Sequence, residues 1–160
     1  MVQRIPARVR QATVIVLRVV IAVVFAAAAL PKIADPVQFA RDIANYRLLP
    51  DGMVGLVAVV LPMIEIVVAA ALLSGVHAAG AAVVAAGLLL GFVAAMGQAL
   101  ARGIDLDCGC FGGAIESRVS YLTIARNFLL TLLCVPIALA RRRGLLSSPE
   151  ASVPTSEPRG

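Results

Sequence analysis

The chain has no tryptophan, a single histidine and only three cysteines in 160 residues, and charged side chains make up just 14% of it. Soluble domains carry about 25% charged residues, so this deficit excludes an ordinary water-facing surface. The lone histidine, His77, falls in the turn between the second and third apolar runs, expected on the membrane side opposite the paired cysteines described below, which excludes a Cys–His catalytic pair. Alternation of apolar and polar residues with period two is also missing, which points away from strands.

What is abundant is apolar: 61% of the residues are hydrophobic. The length suits one domain with about four crossings of roughly 20 residues each. A formal net charge of +5 is therefore read for topology before partners, and nucleic-acid binding is set aside. The sequence predicts an all-α integral membrane four-helix bundle, because an apolar segment alone in lipid must satisfy its own backbone hydrogen bonds.

Four runs are long enough to cross, at about 12–31, 53–73, 78–100 and 120–140. Pro31 and Lys32 close the first, and Ser74-Gly75 ends the second. Arg4, Arg8 and Arg10 precede the first span and Arg141, Arg142 and Arg143 follow the fourth, whereas the first and third connections balance their charges. Both termini are thus expected in the cytoplasm, in agreement with an even number of crossings. The length of the first run and the presence of Arg18 favour a retained span over a cleaved leader.

Residues 36–49 mix apolar and charged side chains at near-helical spacing, which predicts a short amphipathic helix in the outer interface that caps the bundle. Residues 1–143 form the expected transmembrane domain. Residues 144–160, rich in Ser, Pro and Glu, are expected to be a disordered cytoplasmic tail.

Cys108 and Cys110 flank Gly109 in the third connection, on the side expected to be oxidising. A disulfide across one residue requires backbone strain, which Gly109 can accommodate, and strain marks an exchangeable bond. A structural disulfide here would close almost no loop. Metal binding through Asp105, Asp107 and Glu116 lacks a local histidine, so no metal is assigned. The pair is read as redox-active, with both of those alternatives open. Cys134, on the order of 20 Å below the outer face, is read as a packing residue.

Polar residues at membrane depth are functional candidates. Arg18 and Glu65 lie about 13 and about 12 residues from the outer ends of their spans, which predicts an intramembrane charge pair. Pro62 is expected to kink the second span beside it. Arg126, about 9 Å deep, can approach the cysteine connection. With Gln98 and Tyr46 it is the expected polar lining for the headgroup of a lipid-soluble quinone, the candidate cofactor that would reset the cysteines. Gly87 and Gly91 form a GxxxG, extended by Gly80 and Ala95, expected to pack helices and offering a face for self-association into a homo-oligomer.

Several of these residues fall in recognisable strings. Arg18, Lys32-Ile33-Ala34-Asp35-Pro36, Tyr46-Arg47-Leu48-Leu49-Pro50, Leu61-Pro62-Met63-Ile64-Glu65 and Cys108-Gly109-Cys110-Phe111-Gly112, in this order, resemble the MauE branch of the MauE/DoxX membrane proteins over residues 14–140. The chain departs from the pattern at Ala22 and Ala69, where glycine is expected. The resemblance implies a four-span protein of the bacterial inner membrane linked to periplasmic thiol–disulfide chemistry. It further implies a thioredoxin-like extracytoplasmic partner and a role in maturing the disulfide-rich subunit of methylamine dehydrogenase. The architecture is also similar to four-helix thiol oxidases, which carry two exchanging pairs where this chain has one. The expected function is a membrane thiol–disulfide oxidoreductase, and the alternative is a non-enzymatic assembly factor or small-molecule carrier.

Overall fold

A computed structural model describes residues 6–103 and 121–140. The N-terminal residues 1–5, the connection with Cys108 and Cys110, and the segment from 141 onward, with Arg141, Arg142, Arg143 and the expected tail, lie outside the described residues.

Five helices account for nearly all of the described chain: α1 (Ala7–Ala34), α2 (Pro36–Asn45), α3 (Asp51–Ser74), α4 (Ala78–Ala101) and α5 (Tyr121–Ala140). Four are long and apolar enough to cross a membrane, and no strand occurs among the described residues. Their outer faces are apolar. Val16, Val23, Leu56, Met63, Val67 and Val83 are each at least 57% exposed, a surface that water would not tolerate and lipid does. The chain is a multi-pass membrane protein.

Helix boundaries follow local chemistry. Asp35 caps α2 by accepting a 2.9 Å hydrogen bond from the Gln38 amide, with Pro36 at the first helical position. Gly75 ends α3 in the left-handed region at φ +81°, and His77 at φ +56° turns the chain into α4. Pro31 does not close α1 as expected from the sequence. Its ring removes one backbone donor, but the helix runs through it to Ala34, and the Asp35 amide bonds back to the Pro31 carbonyl. That extra turn places Lys32 inside the bundle. Pro62 likewise sits within an α3 that is helical from Asp51 to Ser74.

Helix α1 packs mainly on α3, and α4 on α5. The core of this contact holds Ile21 and Phe25 of α1 with Val68 and Leu72 of α3, and buried Val14 and Lys32 on α1 and Val54, Ala58 and Glu65 on α3 continue the same four-and-three spacing. A mean spacing of about 3.5 holds one stripe against a partner helix along its length. Ala22 and Ala69 are both buried where α1 meets α3, so a methyl group is accommodated at each departure from the family pattern. Alanines make the face of α4 that carries Ala78, Ala81, Ala82 and Ala85, and small side chains let backbones approach without a polar partner. At one end of the bundle α2 lies against α3, and Arg102 at the end of α4 donates a 3.5 Å hydrogen bond to the Arg47 carbonyl.

The GxxxG stripe does not pack helices. A Cβ added at Gly80, Gly87 or Gly91 would meet nothing within 4 Å, because α4 turns its alanine face to the core and leaves this face open.

Candidate functional site

The seam between α1 and α3 carries buried Lys32 and Glu65 and half-buried Arg18, and helix geometry decides how they pair. Side chains on a helix lean toward its N-terminus. Helices α1 and α3 run antiparallel, so Arg18 leans toward the C-terminal end of α3 while Glu65 leans the other way, toward the end where Lys32 stands. The expected Arg18–Glu65 pair is therefore corrected. Arg18 donates from Nε and Nη2 to the Leu72 carbonyl at 2.9 and 2.8 Å, and from Nη2 to the Leu73 carbonyl at 3.4 Å. These carbonyls lie in the last turn of α3, where backbone acceptors lack helical partners and the helix dipole is negative.

Gly75 completes that arrangement. A Cβ there would fall 2.5 Å from Arg18 Nη2, and the backbone already holds a positive φ. Two independent requirements thus select glycine at this turn.

Glu65 pairs instead with Lys32, whose Nζ donates to Oε1 at 2.5 Å with both side chains 1% exposed. The ammonium lies 5.2 Å from the Phe39 ring centroid and 5.0 Å from that of Phe92, so two aromatic faces replace part of its lost hydration. The second carboxylate oxygen, Oε2, is buried with no hydrogen-bond partner among the described residues. In the sequence Pro31 and Lys32 close the first span, which assigns Lys32 to the connection and to topology. Its place on the four-and-three seam of Val14, Ile21 and Phe25 was the signal that it enters the bundle.

Two cavities adjoin this pair. The first, about 300 Å³, lies among Phe39, Ile43 and Tyr46 of α2, Leu61 of α3, and Gly91 and Phe92 of α4, with Lys32 on its wall. The bare glycine face of α4 helps to form it. The second, about 230 Å³, lies among Phe25, Lys32, Glu65, Phe92, Arg126 and Asn127. Lys32 and Phe92 border both.

The three residues expected to hold a quinone headgroup are not brought together. Tyr46 lines the first cavity and Arg126 the second, while Gln98 is exposed and borders neither. A shared depth on separate helices does not determine which face each side chain takes. Cys134 is 1% exposed, and its thiol donates a 3.4 Å hydrogen bond to the Leu130 carbonyl within α5. Cys108 and Cys110 lie outside the described residues, in the connection that joins α4 to α5.

The fold and this seam define a class: a multi-pass helical membrane protein with a buried ion pair beside two half-open cavities. Sequence comparison supplies the family. The profile of the methylamine utilisation protein MauE matches residues 10–140, and the chain belongs to that family. It is 43% identical over 123 residues to the methylamine utilization protein MauE of Paracoccus denitrificans, 42% to that of Paracoccus versutus and, over 122 residues, 34% to that of Methylorubrum extorquens. Each alignment covers 76% of this chain and 66% of the relative, just under two thirds of the relatives' length. No solved structure matches.

Proposed function

We propose that this protein is a membrane thiol–disulfide oxidoreductase of the bacterial inner membrane, with both ends of the bundle's chain in the cytoplasm and Cys108 and Cys110 on the outer side. The observation that carries the reading is the Cys108-Gly109-Cys110 string in the α4–α5 connection of a four-span family member. A thioredoxin-like partner outside the membrane attacks the Cys108–Cys110 disulfide as a thiolate, forms a mixed disulfide and leaves oxidised, so the pair gains two electrons and two protons. A lipid-soluble quinone then accepts both, becoming a hydroquinone as the disulfide re-forms. The names of the relatives connect them with methylamine utilisation, and the client proposed here is an exported, disulfide-bearing protein of that process.

Single Cys108→Ser and Cys110→Ser variants test the reading. Each is expected to reduce partner oxidation to background, with one of them trapping the mixed disulfide on gels. Wild-type rates in both would overturn it.

The two half-open cavities favour a second reading, a carrier or assembly factor in which the cysteines only dock a partner. Maleimide mass-shift in native membranes separates the two. Exchange predicts a two-thiol shift that responds to quinone and reductant, and docking predicts one fixed state.

A further inference from the structure

We propose that the cavity between α1, α3, α4 and α5 is a binding site for a small, neutral, membrane-soluble phenol whose hydroxyl donates to Glu65 Oε2. The cavity's named walls are residues of the four spans, and its occupancy does not rest on the thiol chemistry above.

The requirement for a donor comes from Glu65 itself. Its side chain is 1% exposed and lines the cavity, Oε1 is taken by Lys32, and Oε2 has no partner among the described residues. A buried carboxylate oxygen is costly to leave without a hydrogen bond. Asn127, the nearby side-chain amide on the same wall, donates to the Thr123 carbonyl at 2.8 Å and makes no bond to Oε2.

Neutrality follows from the charge already present. At Glu65 the buried Lys32 and Glu65 charges cancel, and the third charge on the wall, Arg126, is exposed at the cavity's edge, so a charged group against Oε2 would be unbalanced at membrane depth. Size and lining set the rest. At about 230 Å³ the space exceeds the ~150 Å³ of an engineered apolar cavity that stays dry and takes up benzene. Water could satisfy Oε2, but the walls of Phe25, Leu89, Phe92 and Leu130 give further waters too few polar partners. One aromatic ring fills that apolar volume against the two phenylalanines. A phenolic hydroxyl, with a pKa of about 10, is a stronger donor to a carboxylate than an aliphatic alcohol. Exposed Arg126 forms part of the wall, so the cavity reaches the side of the bundle near the start of α5. A hydroquinone belongs to this chemical class, and only that link to the reset step depends on the proposed function.

The test is fluorine NMR of 4-fluorophenol and 4-fluoroanisole with the full chain in detergent micelles, each corrected for partition into protein-free micelles. The ether has the same ring and lacks the donor. Saturable binding of the phenol is expected, about tenfold or more tighter than the ether. Glu65→Gln, which presents an amide where the carboxylate oxygen stood, should bring that ratio to within about threefold. Ala28→Phe, which narrows the cavity from α1, should abolish saturable binding of both probes in protein that remains folded by its thermal transition. Equal binding of the two probes to the wild-type protein would overturn the proposal, leaving an apolar void. Absence of saturable binding would overturn it too, and would mean that water or detergent fills the space. The wild-type comparison decides even where a variant fails to fold. A Cys108→Ser/Cys110→Ser double variant should bind the phenol as wild type does, whether or not thiol exchange is observed. Loss of binding there would move the site to the cysteines.

Discussion

Removing one partner of the Lys32–Glu65 pair leaves the other charge buried, and the cost of that is large. Lys32→Met and Glu65→Gln are each expected to destabilise the protein by about 3–5 kcal/mol, seen as a lowered thermal midpoint in detergent. The double Lys32→Met/Glu65→Met variant should recover most of that loss, because well-packed apolar side chains replace a buried ion pair at little or no cost. A double variant that is stable but inactive would assign the pair to function rather than folding. At the turn after α3, Gly75→Ala adds a methyl group 2.5 Å from the Arg18 guanidinium at a positive φ. A loss of about 1–3 kcal/mol is expected, and Arg18→Ala in the same background should remove the steric part of it. Cys134, sealed inside the bundle, should resist alkylation until the protein unfolds.

At the scale of the element, α4 is the helix whose glycine face does not take the packing role expected of it. Its alanines carry the contact with the core, and its glycines border a cavity. Gly91→Ala should therefore cost no packing, and helix propensity should make it neutral or stabilising by up to about 1 kcal/mol, measured by thermal unfolding. A substantial loss of stability would mean that the glycine face is in contact with another chain. The amphipathic α2 was legible because charge and apolar residues alternate at helical spacing over residues 36–49, and its cap is written in Asp35-Pro36. The extent of α1 was not legible in the same way. A proline near a helix end reads as a stop, and only packing against α3 shows that one lost hydrogen bond is tolerated there.

Over the whole molecule, four crossing helices put the α3–α4 turn at the same end as the start of α1, and the α2–α3 loop at the opposite end. Membrane-impermeant thiol reagents should label Val76→Cys from the side that labels Arg8→Cys, and Arg47→Cys from the other. The arginine-rich flanks of the first and fourth spans predict that the first side is the cytoplasm. Labelling of Val76→Cys and Arg47→Cys from one side would contradict a four-span bundle.

Composition and run length were enough to establish a helical membrane protein with four spans, because lipid admits few solutions for a chain this apolar. The order of short motifs along the chain was likewise enough to indicate the family. Depth counted along each span, however, does not give the register of one helix on another: Arg18 reaches the Leu72 carbonyl, seven residues beyond Glu65 on α3, and Glu65 stands nearer Lys32. The partnership of Glu65 with Lys32, the capping of α3 by Arg18 and the separation of Tyr46, Gln98 and Arg126 emerged only in three dimensions. Each depends on the rotation and register of one helix against its neighbour, which arise from packing along the whole seam and not from any residue's own position in the sequence.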